Sequence, residues 1–369
     1  MSAQAPALAP VSQQSRDWRA PEFRREAFID FYEFHLRHRA HPGCVYYLLP
    51  YLAERYGWTP EERLWFAFLN GNTQNPVTSL QLFRHGSTPD QASEVLTYFE
   101  ATRAELAWDT DRRYHRRVFG GAMMSYLQLT GGDQVDFWQR AAAGGWPAVW
   151  AAANRISSFG RLSAFSYAEY VRIMNIEGAD FDCDDLLLYD KSGSRSHRNG
   201  LAVVGGRDDL YWHASNPGFD GTYTRDEMYY LVDLGASLLR ETASRAQGEA
   251  WARDVSYFTL ESALCTYKSW HRPNRRYPNV YNDMLYDRIR KAEQRFPDQD
   301  FSVFWEARQA CLPKYLRLED EPYDPGCRPQ KQNHYRLTGE VIMMERDYPK
   351  YVNGFRDAVE QGLWGRRPS

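Results

Sequence analysis

Helix-start and helix-stop signals punctuate most of this chain, and that punctuation constrains its fold more than any other feature. Residues 22–39 carry Phe23, Phe28, Phe31, Phe34 and Leu36 at three- and four-residue spacings, closed by Pro42 and Gly43. Residues 45–56 continue the helical period and stop at Gly57. Thr59 caps a helix over 61–70, with Pro60 at its first position and Glu62 completing a capping box. Asn70-Gly71 reads as its stop, Asn75-Pro76 as the start of a helix to about residue 84, and Thr88-Pro89 as a further start. The middle alternates helices with breaks at Gly120-Gly121, Gly131-Gly132 and Gly144-Gly145. Helices over 148–157 and 161–174 flank a turn at Gly160. The pattern returns at 225–242, 249–270, 281–295, 301–310 and 350–361.

Two stretches escape this pattern. Residues 189–222 are rich in Gly, Ser, Asn and Asp and read as a long loop with a short strand at 201–204, and 313–339 are Pro-rich and irregular. Loops of that length inside a domain are uncommon and often functional. The expected fold is mainly α: one large helical domain over 19–369, with loop insertions at about 189–222 and 313–339. Residues 1–18 read as a disordered tail, since they lack the basic start and sustained apolar stretch of a signal peptide.

Composition narrows the function. Lys and Arg number 45 against 48 Asp and Glu, a net charge of −3, which excludes a globally basic nucleic-acid coat and an acidic solvating protein. The five cysteines form no C-x-x-C pair, so a zinc ribbon or a disulfide framework is not expected and a reducing cytoplasm fits. No apolar stretch approaches the roughly 20 residues that span a bilayer. The 12 Trp, 25 Tyr and 19 Phe suit either a large aromatic core or stacking on flat ligands.

Four polar segments interrupt the helices. In Asn70-Gly-Asn72-Thr-Gln74-Asn75-Pro76, capping accounts for Asn70 and Asn75 but not for the run between. Amides both donate and accept, so Asn70, Asn72, Gln74 and Asn75 are candidate readers of a base edge. In Lys191-Ser-Gly-Ser-Arg195-Ser-His197-Arg198-Asn199-Gly200, backbone N–H groups and guanidinium forks suit phosphate oxygens, although a solvated basic turn is the bland alternative. The acids Asp184 and Asp185 precede it, either to pair with it or to act as a general base. Residues 265–295 hold eight basic residues and three acids, a balance of +5, interleaved with Tyr267, Trp270, Tyr277 and Tyr281. That mixture offers charge to a nucleic-acid backbone and rings to its bases; an amphipathic helix end is the alternative. The fourth segment, 327–334, is basic but nearly balanced by Glu319, Asp320, Glu321 and Asp324.

Other signals fail. His35, His38 and His41 spread over about 120° of a helix end, which favours satisfied histidines over a metal site. There is no H-E-x-x-H, P-loop, G-x-G-x-x-G or G-x-S-x-G, so metal, nucleotide and common hydrolase readings lack support and no cofactor is expected.

Several segments together carry a resemblance. Phe31-Tyr-Glu-Phe-His35, His41-Pro-Gly-Cys-Val-Tyr-Tyr47 and Leu64-Trp-Phe-Ala-Phe-Leu-Asn-Gly-Asn-Thr-Gln-Asn-Pro76 form one set, and Ser196-His-Arg-Asn-Gly200 with Arg275-Arg-Tyr-Pro-Asn-Val-Tyr281 another. Over roughly 25–340 the chain resembles the bacteriophage amino acid:DNA transferases, also called α-glutamyl/putrescinyl-thymine pyrophosphorylases. The resemblance implies an all-helical enzyme, distantly related to helical DNA glycosylases, that acts in thymine hypermodification in the host cell cytoplasm. Its substrates are double-stranded DNA, in which 5-hydroxymethyluracil carries a phosphate or pyrophosphate, and a free amino acid or polyamine whose amine replaces that leaving group. No membrane is involved.

On this reading the base leaves the stack and is read by the Asn70–Asn75 amides. Arg195, His197, Arg198 and Asn199, with Arg275, Arg276 and Tyr277, match the family's basic motifs and are assigned to the phosphate. Asp184 or Asp185 takes the proton of the amine. Displacement has two open routes: direct ionisation, or addition of a thiolate to the ring with loss of phosphate, leaving an exocyclic methylene for the amine. Cys265 is the preferred thiol because Lys268 and the basic run favour its anion, against the bland reading of a buried filler cysteine. A non-catalytic DNA-binding or base-sensing module and a glycosylase-like base hydrolase are the competing functions.

Overall fold

Thr59 starts a helix as its sequence demands. Its hydroxyl accepts from the Glu62 N–H while the Glu62 carboxylate accepts from the Thr59 N–H, and Pro60 fills the first helical position. The same reciprocal cap recurs at Thr224 with Glu227 and at Ser256 with Thr259. The computed structural model describes residues 21–37, 39, 45–109, 112–189, 195–212, 218–268 and 284–312. Its helices are α1 (Pro21–Arg37), α2 (Val45–Tyr56), α3 (Pro60–Thr73), α4 (Pro76–Phe83), α5 (Ala92–Thr102), α6 (His115–Thr130) and α7 (Gln134–Ala143). They continue with α8 (Gly145–Asn154), α9 (Arg161–Ile173), α10 (Arg195–Val204), α11 (Arg225–Arg245), α12 (Tyr257–Tyr267), α13 (Met284–Arg295) and α14 (Ser302–Cys311). Short 3₁₀ turns occur at Pro89–Gln91, Asp208–Leu210 and Ala250–Asp254, and no strand occurs among the described residues. The fold is all-helical.

The sequence expectations need five local corrections. The long loop expected over 189–222 holds α10 and the 3₁₀ turn at Asp208–Leu210, because the polar residues 195–199 open a helix whose apolar second half is buried. The expected strand at 201–204 is the second half of α10: Leu201, Ala202, Val203 and Val204 are all buried, and a short apolar run does not by itself separate a strand from a buried helix. Asn70-Gly71 does not stop α3, which runs on to Thr73 and ends where Gln74 turns left-handed at φ 51°. Gly120-Gly121 lies inside α6, whereas Gly131, at φ 63°, does end it. The helix expected over 249–270 is broken: a 3₁₀ turn, then extended residues 255–256, then α12. The expected helix over 350–361, the irregular 313–339, the segment 327–334 and the tail 1–18 lie outside the described residues.

The chain clusters into two compact units. In the unit formed by 45–184 and 285–311, α3 packs on α4 and α9, and α9 on α8. Its centre takes up much of the aromatic surplus. Phe68 stacks on Tyr126 at 4.2 Å, Trp138 meets Tyr167 edge-on at 5.3 Å, and Tyr126 donates to Gln134 at 2.7 Å. In the other unit α1 packs against α10, α11 and α12. Tyr32 and Thr259 share a 2.6 Å hydroxyl bond, Tyr267 donates to the Arg24 carbonyl at 3.1 Å, and Arg24 forks onto Asp208 at 2.5 and 3.0 Å. These buried polar ties fix α12 against α1, so the side chains α12 presents to α10 are held on a rigid support.

Candidate active site

Gly200 sets the approach of α10 to α12. A Cβ there would lie 2.8 Å from Leu264 Cβ and 2.9 Å from the Leu264 carbonyl oxygen, so only glycine lets the helices cross this closely. The close crossing brings Ser196 of α10 to Cys265 and Lys268 of the α12 end. Ser196 Oγ donates to Cys265 Sγ at 3.2 Å, Lys268 Nζ donates to Ser196 Oγ, and the same ammonium stands 3.6 Å from Cys265 Sγ. Cys265 is exposed, while Lys268 is only 5% exposed. Among the described residues no carboxylate pairs with Lys268.

One turn along, His197 and Glu261 form a hydrogen-bonded pair in which the imidazole is fully buried. Glu261, Cys265 and Lys268 are spaced i, i+4, i+7 and therefore share one face of α12. The loop that follows α10 folds back over it. Asn199 donates to the Trp212 carbonyl at 2.7 Å and accepts from the Trp212 N–H at 2.9 Å. The Arg195 guanidinium lies 3.7 Å over the Trp212 ring, and that of Arg198 5.0 Å over Tyr223. Burial raises the Tyr223 hydroxyl above its ordinary pKa, and Arg198 pulls it back down.

An uncompensated buried ammonium beside an accessible thiol has a definite chemical meaning. Removing a cation from water without a counter-ion is costly, and an arriving anion recovers that cost. The site is thus suited to holding an anion and presenting a nucleophile.

Of the expected site residues, the structure joins Cys265 and Lys268 through Ser196 and places Arg195, His197, Arg198 and Asn199 on the neighbouring α10, His197 against Glu261 and the other three against Trp212 and Tyr223. Arg275, Arg276 and Tyr277 lie outside the described residues. Asp185 spends its carboxylate on the Leu187 N–H at 3.1 Å, and Asp184 is an exposed acid of the other unit. Sequence reasoning missed Ser196 and Glu261 as members of the cluster. The i, i+4, i+7 spacing on α12 was the signal for Glu261; nothing local marked Ser196, whose partners lie 69 and 72 residues away.

The amide run belongs to the other unit and forms a buried junction. Asn75 caps α4 by accepting from the Val77 N–H at 3.2 Å and donates to the Ala107 carbonyl at 3.0 Å. Asn70 accepts from Ser79 at 3.2 Å, and Asn72 donates to the Phe68 carbonyl at 3.0 Å. Arg288 binds the Gln74 carbonyl at 3.0 Å and pairs with Asp109. Asn70 Nδ2 and Asn72 Oδ1 are the side-chain amide atoms of this run that stay buried without a partner. His35, of the expected histidine trio, is buried against Phe31 at 4.0 Å, and His38 and His41 lie outside the described residues. No group of metal-ligating side chains gathers among the described residues, and none of the described helices is long and apolar enough to cross a membrane.

An all-helical scaffold that sets an accessible thiol beside a buried cation is compatible with a group-transfer enzyme. Comparison with known proteins makes this specific. The sequence model of the amino acid:DNA transferase family matches residues 49–276, which span the whole α10–α12 cluster, and the chain belongs to that family. A serinyltransferase of Salmonella phage ViI is 24% identical over 291 residues, covering 76% of this chain and 71% of that protein. No solved structure matches. The chain is therefore a transferase that joins an amino acid to DNA, and the non-catalytic and hydrolase alternatives are set aside.

Proposed function

We propose that this transferase replaces the phosphate or pyrophosphate of a phosphorylated 5-hydroxymethyluracil in duplex DNA with the amine of an amino acid or polyamine. The observation that carries the reading is Lys268, a buried cation with no carboxylate partner among the described residues, in contact with Ser196 and the exposed Cys265. Arg195 and Arg198 are carried by α10, the helix of Ser196, against Trp212 and Tyr223, and on this reading they supply further positive charge for the leaving group. In the overall step the bond from the 5-methylene carbon to the phosphate oxygen breaks, its electron pair leaves with the phosphate, and a bond to the amine nitrogen forms. The amine gives up one proton to a base, for which Asp185, of the same unit as α10 and α12, remains a candidate.

The thiol route divides this step. The Cys265 thiolate adds to C6 of the ring, the phosphate departs to leave an exocyclic methylene, the amine adds there, and the thiolate is expelled again. Reaction on a base inside a duplex also requires its extrusion from the stack. The relative's name makes serine the first amino acid to test, and phage DNA in the host cytoplasm is the substrate this reading requires.

The test supplies DNA carrying the phosphorylated base with serine, the other amino acids and putrescine. The product is digested to nucleosides and weighed. A nucleoside heavier by one amino acid less water, relative to 5-hydroxymethyldeoxyuridine, is expected. Recovery of unchanged nucleoside from authentic substrate and folded protein overturns the proposal.

A further inference from the structure

The start of α6 carries a basic and aromatic run, Arg112-Arg113-Tyr114-His115-Arg116-Arg117, far in sequence from the α10–α12 cluster. Its side chains divide by direction. Arg112 points inward and donates to the Gly71 carbonyl at 3.0 Å, and His115 bonds Ser163 at 2.8 Å. Arg113 and Arg117 are exposed and Arg116 half-buried, and no hydrogen bond or ion pair engages these three guanidinium groups among the described residues. Tyr114 is 62% exposed, well above the 44% of Tyr56 and Tyr229. Arg113 with Arg117, and Tyr114 with Arg117, stand at i, i+4 and i, i+3, so these side chains share one face.

Folding gives no reason for this arrangement. A helix N-terminus carries partial positive charge and favours acids, yet the first turn of α6 has none, and Tyr114 provides no side-chain cap. Elsewhere on the same unit several exposed arginines are paired within their surroundings, as Arg55 is with Glu306, Arg140 with Asp136 and Arg290 with Glu293. A solvent-facing ring among free cations is the composition that binds a nucleic-acid strand, with guanidinium groups on phosphates and the ring on a base or sugar.

We propose that Arg113, Tyr114, Arg116 and Arg117 form a DNA-backbone contact surface of this transferase, holding the polyanionic acceptor outside the reacting centre. The proposal rests on the family's DNA acceptor and not on which base or leaving group reacts. Its test is therefore binding, measured on unmodified duplex DNA, so that its failure is separate from failure of the product assay. The triple variant Arg113→Gln, Arg116→Gln, Arg117→Gln is compared with the wild type by fluorescence anisotropy over a series of salt concentrations. Each phosphate contact contributes about −0.9 to the slope of log K against log salt, so the triple variant should flatten it by about 2.7. Tyr114→Ala should weaken binding roughly 5- to 150-fold, the span of one stacking contact, with little change in slope.

A control triple at the paired residues, Arg55→Gln, Arg140→Gln and Arg290→Gln, removes the same charge and should leave the slope near the wild-type value. An unchanged slope in the first triple overturns the proposal. So does an equal loss in both triples, which would make the effect one of net charge alone. Circular dichroism of each variant should match that of the wild type, and the relief of cations from a helix N-terminus predicts an unfolding midpoint at or above the wild-type value for the first triple.

Discussion

Replacing Gly200 with alanine tests the packing that builds the active site. Within a helix, alanine is favoured over glycine by about 1 kcal/mol, so propensity alone predicts a more stable protein. The structure reverses that sign. The new Cβ would stand 2.8 Å from Leu264 Cβ and 2.9 Å from the Leu264 carbonyl oxygen, where ordinary contact begins at 3.4 Å. The obstacle is backbone as well as side chain, so α10 and α12 must part by 3.4 − 2.8 = 0.6 Å. Overpacking of this kind costs about 1–3 kcal/mol, which exceeds the propensity gain at most of that range. Gly121→Ala is the matched reference, because Gly121 is also helical and its Cβ would meet nothing within 4 Å. Urea unfolding should show Gly121→Ala stabilised by about 0.5–1 kcal/mol and Gly200→Ala destabilised. Parting the helices also lengthens the contacts of Ser196 with Cys265 and Lys268, so alkylation of Cys265 should change in rate in the second variant only. A Gly200→Ala protein as stable as Gly121→Ala, with Cys265 reacting at the wild-type rate, refutes the argument that this crossing positions the site.

Other consequences are independent of that crossing. Burial, aided by Arg112, lowers the His115 pKa to about 4 from 6.5, so the folded state resists a proton that the unfolded chain accepts. Stability should therefore fall as pH drops from about 6.5 to about 4 and then lose nothing more from this group; His115→Gln should flatten that part of the urea-midpoint profile. Asn75→Ala removes the α4 cap and should cost about 0.5–2 kcal/mol in the same assay, and Asn75→Asp, which keeps the cap acceptor but sets a buried carboxylate against the Ala107 carbonyl, should destabilise as well. Cys265→Ser separates the displacement routes: loss of product with intact DNA binding supports the thiol, and full turnover eliminates it. Arg288→Met strands the half-buried Asp109 and the Gln74 carbonyl and should destabilise the fold by about 1–3 kcal/mol, the cost of leaving an acceptor without its donor.

Much of the helical architecture was legible because local chemistry decides it. The Thr59-Pro60-Glu61-Glu62 start and the Asn75-Pro76 start are satisfied within three residues of themselves, and both appear in the structure as read. Glycine was read less well, because its effect depends on what faces it. Gly131 ends a helix at positive φ, Gly121 passes unnoticed inside one, and Gly200 is required by a neighbour 64 residues away. The strand expected at 201–204 failed for the same reason: its apolar run is buried by α1, α11 and α12, and no local period reveals that. At the site, the basic loop before Gly200 and the pair Cys265 and Lys268 stood out by composition. Their convergence through Ser196, and the pairing of His197 with Glu261, are long-range facts that residue types alone do not encode. Among the described residues part of the aromatic surplus is structural, as Trp65, Trp138, Tyr126 and Tyr167 are fully buried.

The two sets of cations differ in a way that salt can separate. Lys268 is 5% exposed and acts on charge at its own contact distance, in surroundings from which water is largely removed. Screening by mobile ions is weak there. Arg113 and Arg117 face solvent, and their hold on a polyanion works by releasing counter-ions, which added salt opposes directly. If the exposed run holds DNA and the buried ammonium serves the reacting anion, salt must act mainly on KM for DNA and little on kcat. A neutral substitute at Lys268 must do the reverse, reducing kcat while the salt slope of binding stays as it was. An enzyme whose kcat and KM rose and fell together with salt would need its catalytic charge in open water, which the burial of Lys268 contradicts.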